Sequence, residues 1–492
     1  MAWGVSTLRI CFLLGLTSSF LTVAHPLEDL RAGATANYTV ICSEIASKIA
    51  FVSDVHYPAT RLGTTTYEEL TRRYAQSAGE RPACAVEPKS PDDVGTILKI
   101  VGRSRTPFAV QSGGHSANIG FSSTKGVHIS LRSFRSIEYS NGTRTVDFGT
   151  GLRWEDVYTT LDTYGVNVVG GRAAGVGVGG FTLGGGYSYQ TNEYGLTLDS
   201  AMAFELVKPT GEVVQVDQKT EPDLFFALRG AQNNYGGIIA YADPTVFSEV
   251  AAVTSKMANE VKDPKAMFST GVIFSNGSVN VGTVVFYNAP SPPPGIFDDI
   301  LNIPSAQHTI QSQSYLSFFN GISTGVSAHV ARTYFSTVPV PHDAHSTKFL
   351  KLVNDLAQSV GTELTSASKS FMSLRLNPEP FVSTMLDHSI TSSAYPYTRS
   401  KVYCPMAIGI EWSDPSEDGF FKAAIERVTK ALEDELVAEG HDDVITAPLY
   451  PNYVLGDTPL VRLYGSNLPR LRAIKRRVDP ENVMGLAGGF KI

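Results

Sequence analysis

The sequence predicts an α+β protein with room for two or three domains. Two patterns carry this reading. Between residues 80 and 235 short strands alternate with amphipathic helices, which marks one α+β domain. From 265 to 445, strands such as Gly271-Val272-Ile273-Phe274 and Thr283-Val284-Val285-Phe286 mix with helices over 346–359 and 417–436. No internal repeat or low-complexity tract interrupts them.

Taken in order, residues 25 to 77 are weakly patterned. Ser90-Pro91-Asp92-Asp93 then predicts a helix start, with a serine cap, a proline at the first helical position and acids at the positive end of the helix dipole. Val94, Ile97, Leu98 and Val101 make its apolar stripe. Phe108-Ala109-Val110-Gln111 reads as a strand that runs into Ser112-Gly113-Gly114-His115-Ser116. Val127, Ile129 and Leu131 alternate as a half-buried strand, and Val146 and Phe148 lie in another. Trp154, Val157, Tyr158 and Leu161 share a helical face that Gly165 ends. Val166-Asn167-Val168-Val169 reads as a strand entering a second glycine run, and Pro222 to Gly230 as a capped helix.

The two glycine runs are the chemically informative part. Glycine-dense turns let backbone amides approach an anion closely, so a histidine beside them sits where a cofactor would be. Gly175-Val176-Gly177-Val178-Gly179-Gly180 matches G-x-G-x-x-G, and Asp199 follows about 20 residues later, as in a dinucleotide fingerprint. That motif must open a helix. Gly184-Gly185-Gly186 would cost ~1 kcal/mol each in a helix interior, so the run is expected to be an extended loop along a cofactor.

A net charge of -7 argues against nucleic acid or an anionic membrane as the main partner. Arg9 precedes the apolar run Ile10–Leu16, and Thr22-Val23-Ala24 supplies small residues before a cleavage point, so residues 1–24 read as a signal peptide rather than a membrane anchor. The sequons at Asn37, Asn141 and Asn276 agree with a secreted glycoprotein. Without Cys11, the three remaining cysteines, Cys42, Cys84 and Cys404, suggest one bridge and one free thiol in an oxidising compartment. No zinc spacing is present, and no metal is expected.

One ordered set of motifs joins these features. Cys84-Ala85-Val86-Glu87-Pro88, Ser112-Gly113-Gly114-His115, Gly170-Gly171-Arg172, Val176 to Gly180 with Gly184 to Gly186, Tyr194-Gly195-Leu196 with Asp199, and Pro222 to Gly230 follow in sequence. This resembles the FAD-binding domain of the FAD-linked oxidases of the vanillyl-alcohol oxidase and p-cresol methylhydroxylase class. Tyr450-Pro451-Asn452-Tyr453, Tyr464-Gly465-Ser466-Asn467, Leu471, Lys475 and Asp479-Pro480-Glu481-Asn482 resemble the closing segment of the berberine-bridge-enzyme-like branch. The resemblance implies a two-part FAD-binding domain over 78–242, preceded by a segment 25–77 that packs on it. It further implies a substrate domain with an antiparallel sheet over 243–447, and a segment 448–492 that returns to the FAD domain.

It also implies a site. His115 would carry FAD through one covalent bond. Ser112, Gly113, Gly114, Ser116, Gly171, Val176, Gly179, Gly180, Leu183, Gly184, Gly185, Gly186, Asn192, Gly195 and Asn452 would bind the cofactor, the amides facing its diphosphate. Tyr450 and Tyr453 are candidates for the catalytic base, with aromatic packing as the alternative for either one. Lys401, Tyr403 and Arg462 are candidate neighbours that could lower a tyrosine pKa from about 10. The family also suggests that Cys42 and Cys84 form the bridge.

Two departures stand out. Ala173 takes the place where many relatives have a second flavin-linking cysteine. Asn233-Asn234-Tyr235-Gly236-Gly237 joins directly onto a later segment, so about one strand that follows in relatives is missing. The implied function is a secreted, monomeric oxidase of secondary metabolism. A small molecule loses a hydride to the flavin, and O2 re-oxidises it with release of hydrogen peroxide. Oxidative cyclisation fits the fungal members. A carbohydrate oxidase is the nearest alternative, which Ala173 disfavours; a catalytically impaired flavin-binding protein is the alternative of another class.

Overall fold

The computed structural model describes residues 7–13, 38–58, 66–226, 236–241, 244–289, 291–304, 307–323, 331–388, 393–396 and 401–492. Numbered along the chain, the strands are β1 (Thr7–Leu13), β2 (Asp54–His56), β3 (Cys84–Glu87), β4 (Phe108–Gln111), β5 (Val127–Ser130), β6 (Ile137–Ser140), β7 (Thr145–Phe148) and β8 (Ala201–Val207). Then come β9 (Val213–Asp217), β10 (Gly236–Tyr241), β11 (Ala266–Ser275), β12 (Ser278–Tyr287), β13 (Gln307–His308), β14 (Arg332–Pro341), β15 (Phe371–Asn377) and β16 (Tyr403–Trp412).

They form three sheets, with orders β2-β3-β5-β4, β6-β7-β1-β8-β9 and β13-β10-β12-β11-β15-β16-β14. The first is parallel apart from the β2 edge. All four residues of β5 are buried, so Val127 and Ile129 lie in a strand covered on both faces, where a half-buried strand was expected. The second sheet is antiparallel at both edges. At its centre β1 pairs parallel to both β7 and β8. Residues read as part of a leader therefore occupy the middle of this sheet. The third sheet is antiparallel throughout.

The predicted helix signals hold where capping chemistry set them. Ser90 accepts from the Asp93 amide at 3.2 Å, Pro91 stands at the first turn, and the helix runs Pro91–Ser104. Trp154–Asp162 forms the second helix, and Thr347–Ala367 and Asp418–Ala438 cover the large sheet. Val166-Asn167-Val168-Val169 is not a strand. Asn167, Val168 and Val169 are buried beneath the glycine run without ladder partners, so β propensity yields to the turn geometry on either side. The predicted helix Pro222 to Gly230 is present as Pro222–Phe226; its remainder lies outside the described residues.

The domain boundary needs correction. β10 falls inside the range expected for the FAD domain, yet it pairs with β12 and β13 of the large sheet. By Gly236 the chain is already in the large sheet, ahead of 242. The helix Tyr315–Ser323 crosses the other way. Tyr315, Phe318 and Phe319 are buried in one apolar cluster with Tyr158 and Phe225 of the N-terminal domain.

The last forty-odd residues pack against that domain. Lys475 and Asp479 form a buried ion pair, and Lys475 Nζ also donates to Asn482 Oδ1 at 2.6 Å. The Asp479 carboxylate accepts from the Val483 and Met484 amides at 2.8 and 3.0 Å. This turn presses Val483 on Gly102, where a Cβ would lie 2.9 Å from a Val483 methyl. Among the described residues no helix is long and apolar enough to cross a membrane.

Candidate active site

The two glycine turns cross backbone on backbone. A Cβ on Gly113 would lie 2.4 Å from the Gly177 nitrogen, and one on Gly177 would lie 2.2 Å from the Gly113 nitrogen. Only glycine at both positions allows this approach. Ser112 pins the crossing: its Oγ donates to the Thr150 carbonyl at 2.6 Å and accepts from the Gly179 amide at 3.3 Å. Gly175, at φ +83, donates its amide to both Glu155 carboxylate oxygens at 3.1 Å.

The expected extended loop is instead a short helix, Val178–Leu183, with Gly177 as its cap. The Gly184-Gly185-Gly186 triplet falls at its end, where positive φ values at Gly185 and Gly186 terminate it, so the helix-interior penalty never applies. Asp199 accepts the Leu196 amide at 2.9 Å and closes the turn after Gly195.

A cavity of about 610 Å3 runs from this crossing to the face of the large sheet. That size suits a large organic ligand. Its lining includes Ser112, Gly113, Gly114, His115, Ser116, Val176, Gly179, Gly180, Leu183, Gly184, Asn452, Tyr450 and Tyr453. Gly171, Gly185, Gly186, Asn192 and Gly195 lie off the lining and act structurally. Gly171 faces Trp154 and gives its carbonyl to Tyr158 Oη at 2.9 Å. Gly185 receives the Leu198 amide on its carbonyl at 2.9 Å, and Gly186 receives that of Thr197 at 2.8 Å. Asn192 donates to the Ala266 carbonyl and accepts from the Val382 amide, which ties the two domains together. Gly195, at φ +82, ends the turn Thr191–Tyr194.

The cavity fits FAD on its own chemistry. A Cβ on Gly180 would project into open space, with nothing within 4 Å, and Gly114 stands at φ +71. These bare backbone stretches form a cradle that side chains would fill. His115 stacks on Tyr74, with ring centroids 4.0 Å apart and planes 13° off parallel. Ala173 lines the same cavity, and among its described lining residues none is a cysteine.

The wall opposite carries a polar cluster that sequence reasoning missed. Arg172 Nη1 lies 2.8 Å from Glu379 Oε1, and Arg172 Nη2 donates at 2.8 Å both to Glu379 Oε2 and to the Tyr453 hydroxyl. Tyr189 and Phe381 flank the guanidinium, 5.5 and 5.8 Å from its carbon to their ring centroids. Burial works against the Arg172 charge, and the Glu379 carboxylate overrides it and holds the guanidinium protonated. Burial pushes Glu379 up, and Arg172 pulls it back. Burial also pushes the Tyr453 hydroxyl well above the ordinary tyrosine value, against the pull of Arg172.

Tyr450 is placed differently. It is 2% exposed, and its hydroxyl accepts from Asn452 Nδ2 at 2.9 Å and from the Tyr187 amide at 3.4 Å. Asn452 also donates to the Phe181 carbonyl at 3.2 Å, which fastens the C-terminal segment to the glycine helix. Lys401 and Tyr403 pair with Asp443, and Arg462 with Glu433, so none of the three is the tyrosine's cation. The cation is Arg172, a residue of the quoted glycine motif; Glu379 carried no sequence signal of its own.

Comparison with known proteins agrees with this geometry. Residues 82–217 match the FAD binding domain family, and residues 449–487 match the berberine and berberine-like family. An uncharacterised FAD-linked oxidoreductase of Arthroderma benhamiae is 28% identical, over 87% of this chain and 91% of its own. The FAD-dependent monooxygenase tpcD of Cochliobolus heterostrophus is also 28% identical, over 98% and 99%. Among solved structures, 6-hydroxy-D-nicotine oxidase of Arthrobacter nicotinovorans superposes with a TM-score of 0.69 at 19% identity, covering 89% of this chain and 98% of its own. Glucooligosaccharide oxidase of Acremonium strictum, whose FAD is 6-S-cysteinyl and 8α-N1-histidyl, superposes at 0.68 and 17%, covering 91% and 97%. With the glycine crossing, the cradle and the returning C-terminal segment in place, the chain carries an FAD binding domain and a berberine-like segment and is similar to FAD-linked oxidoreductases.

Proposed function

We propose that this chain is a secreted oxidase that removes two electrons and two protons from a small molecule, at a carbon bearing oxygen or nitrogen, within secondary metabolism. The observation that carries the reading is the Arg172–Tyr453 hydrogen bond at 2.8 Å, in the same cavity as His115 and the glycine cradle. A flavin held here would supply two-electron redox chemistry, with dioxygen as the proposed terminal acceptor. The residues of the chain do the rest. The amides of Gly113, Gly114 and Gly180 would hold the cofactor's diphosphate. His115 is the attachment point, and Ala173 leaves that link single. Tyr453, as its phenolate, takes the proton from the substrate heteroatom as the carbon–hydrogen bond gives up its hydride, and Arg172 holds the resulting dipole in place. Tyr450 orients the wall through Asn452 and Tyr187.

The leader-like N-terminus and the exposed sequons at Asn141 and Asn276 support a secretory route. The fungal relatives are named monooxygenases, which supports a second reading in which one oxygen atom enters the product. Two measurements test the proposal. Acid-precipitated protein stays yellow, and the tryptic peptide with the flavin mass contains His115; colourless precipitate or another modified residue rejects the link. Turnover under 18O2 places the label in hydrogen peroxide for an oxidase, and in the organic product for oxygen insertion.

A further inference from the structure

The floor of the cavity is a patch of the large sheet, and its side chains fall into three cross-strand rows. Phe335, Gly409 and Arg375 make one row, Thr333, Glu411 and Ser373 the second, and Thr337, Ala407 and Asn377 the third. Leu374 and Leu376 of β15 point into the core beneath, so Arg375 and Asn377 share the opposite, cavity face. Between their neighbours the chain places Gly409 and Ala407, the smallest residues available. A Cβ on Gly409 would stand 3.4 Å from the Phe335 ring. The middle of the floor is therefore low.

Three polar atoms of these rows have no hydrogen-bond partner, Thr337 Oγ1 and two on residues that line the cavity. Arg375 Nε and Asn377 Oδ1 are both out of contact with solvent and both without a hydrogen bond. The rest of the Arg375 head is engaged, with Nη2 at 3.4 Å from each Glu411 oxygen, and Ser373 Oγ holds that carboxylate at 2.7 Å. Glu411 thus fixes the guanidinium and leaves one N–H directed elsewhere. An unpaired buried donor or acceptor costs about 1–3 kcal/mol. A donor and an acceptor unpaired together, on alternate residues of one strand facing a cavity, form a complementary pair waiting for a ligand. Alternate residues lie roughly 6.5–7 Å apart, about the width of a fused bicyclic ring. Tyr74, Phe335, Tyr450 and Tyr453 supply aromatic walls around it.

We propose that Arg375 and Asn377 are the specificity-determining edge of this site, and that they select a planar aromatic carrying a carbonyl and a hydroxyl on opposite edges. The carbonyl oxygen accepts from Arg375 Nε, and the hydroxyl donates to Asn377 Oδ1. This rests on the oxidase reading for the reaction but not for the binding.

Calorimetric titration tests it with three probes: 7-hydroxychromone, chromone without the hydroxyl, and cellobiose. The expected order is 7-hydroxychromone tightest, chromone weaker by about tenfold as Asn377 Oδ1 goes unpaired, and cellobiose without measurable binding. Arg375→Lys keeps the charge that Glu411 needs but loses the Nε donor, and Asn377→Leu keeps the shape but loses the acceptor. Asn377→Leu should erase the difference between the chromones, and Arg375→Lys should weaken both alike. Equal affinity of the wild-type protein for the two chromones, or preference for cellobiose, overturns the proposal even if a variant fails to fold. Flavin content measured on the same samples keeps the questions apart: colourless protein rejects the flavin reading, while the titration still decides this one.

Discussion

Arg172 donates to the Tyr453 hydroxyl at 2.8 Å with the same Nη2 nitrogen that contacts Glu379. The tyrosine is bonded to a cation that is itself neutralised by a buried carboxylate. Such an arrangement orients Tyr453 strongly and lowers its proton affinity only in part, which agrees with burial winning over the pull of Arg172. If Tyr453 is the base, burial keeps it protonated at neutral pH and its phenolate fraction grows as the pH rises. The expected kcat/KM rises with pH. Tyr453→Phe should lower kcat by about 10²–10⁴-fold, the usual contribution of a general base. Tyr450→Phe removes an acceptor from the wall and should cost less than about tenfold. Arg172→Lys should shift the alkaline limb to higher pH, because the bidentate hold is lost. A Tyr453→Phe enzyme within threefold of wild type, or an unmoved limb in Arg172→Lys, rejects the assignment.

A second consequence concerns acid stability. His128 lies in β5 with Nε2 3.0 Å from the Leu70 carbonyl and Nδ1 3.4 Å from Arg73 Nη2. The carbonyl requires a proton on Nε2 and the guanidinium requires none on Nδ1, so the ring is held neutral. Burial, then the Arg73 charge, lower its pKa to about 3. Burial lowers that of His345 to about 4. Both folded values lie below an unfolded value of about 6.5. Their stabilisation is thus complete above about 6.5 and is lost as the pH falls towards the folded values. Each histidine adds a slope of at most about 1.4 kcal/mol per pH unit in that window. Thermal melts should show the midpoint falling between pH 6.5 and about 5, before most carboxylates titrate. His128→Gln should flatten this fall; an unchanged slope removes His128 from the account.

The cysteines give a third. Cys42 and Cys84 are disulfide-bonded and tie the helix Tyr38–Lys48 to β3, while Cys404 is free and fully buried beside the Phe381 backbone. Burial pushes the Cys404 thiol up, so native labelling should be slow. Denatured, unreduced protein should react at Cys404 alone if residues 1–24 are removed, and at Cys11 and Cys404 if they are kept. Cys42→Ser with Cys84→Ser should lose about 2–4 kcal/mol of stability. Labelling at Cys42 or Cys84 contradicts the bridge.

Much of this site was legible in the sequence, because backbone chemistry writes itself in residue types. The Gly113–Gly177 crossing needs glycine on both chains, and the ordered motifs around His115 could be read in one dimension. The Ser90 cap and the stripe from Val94 to Val101 were legible for the same local reason. Arg172, Glu379, Arg375 and Asn377 were not. Their meaning arises when β14, β15 and β16 are set against the glycine turns, and charged residues on strand faces look alike before that happens. The run Val178–Leu183 shows the converse: three glycines argued against a helix until the structure placed them past its end. Val166–Val169 was misread because a buried, β-branched segment under a turn has the composition of a strand.

The last prediction concerns β1. The family resemblance leads one to expect a strand after the segment that here reads Asn233-Asn234-Tyr235, where Gly236 follows directly. Gly236 and Gly237 are already in register with Phe286 and Val285 of the large sheet, so no residues remain there to build one. β7 and β8 still need a strand between them, since each would otherwise expose a row of unpaired amides and carbonyls. Thr7–Leu13 occupies that place, pairing with Thr145–Phe148 on one side and Ala201–Val207 on the other. Removal of residues 1–24 as a leader would vacate it. With a net gain of roughly 1 kcal/mol per hydrogen bond, a chain of residues 25–492 should melt at least about 5 °C below the full chain and lose flavin faster. The intact mass of secreted protein shows which chain exists. If it begins after residue 24 and melts with the full chain, β1 is not part of the folded sheet. Sequencing the messenger is the independent check: a longer transcript with a strand before Gly236 would supply the element from within the domain.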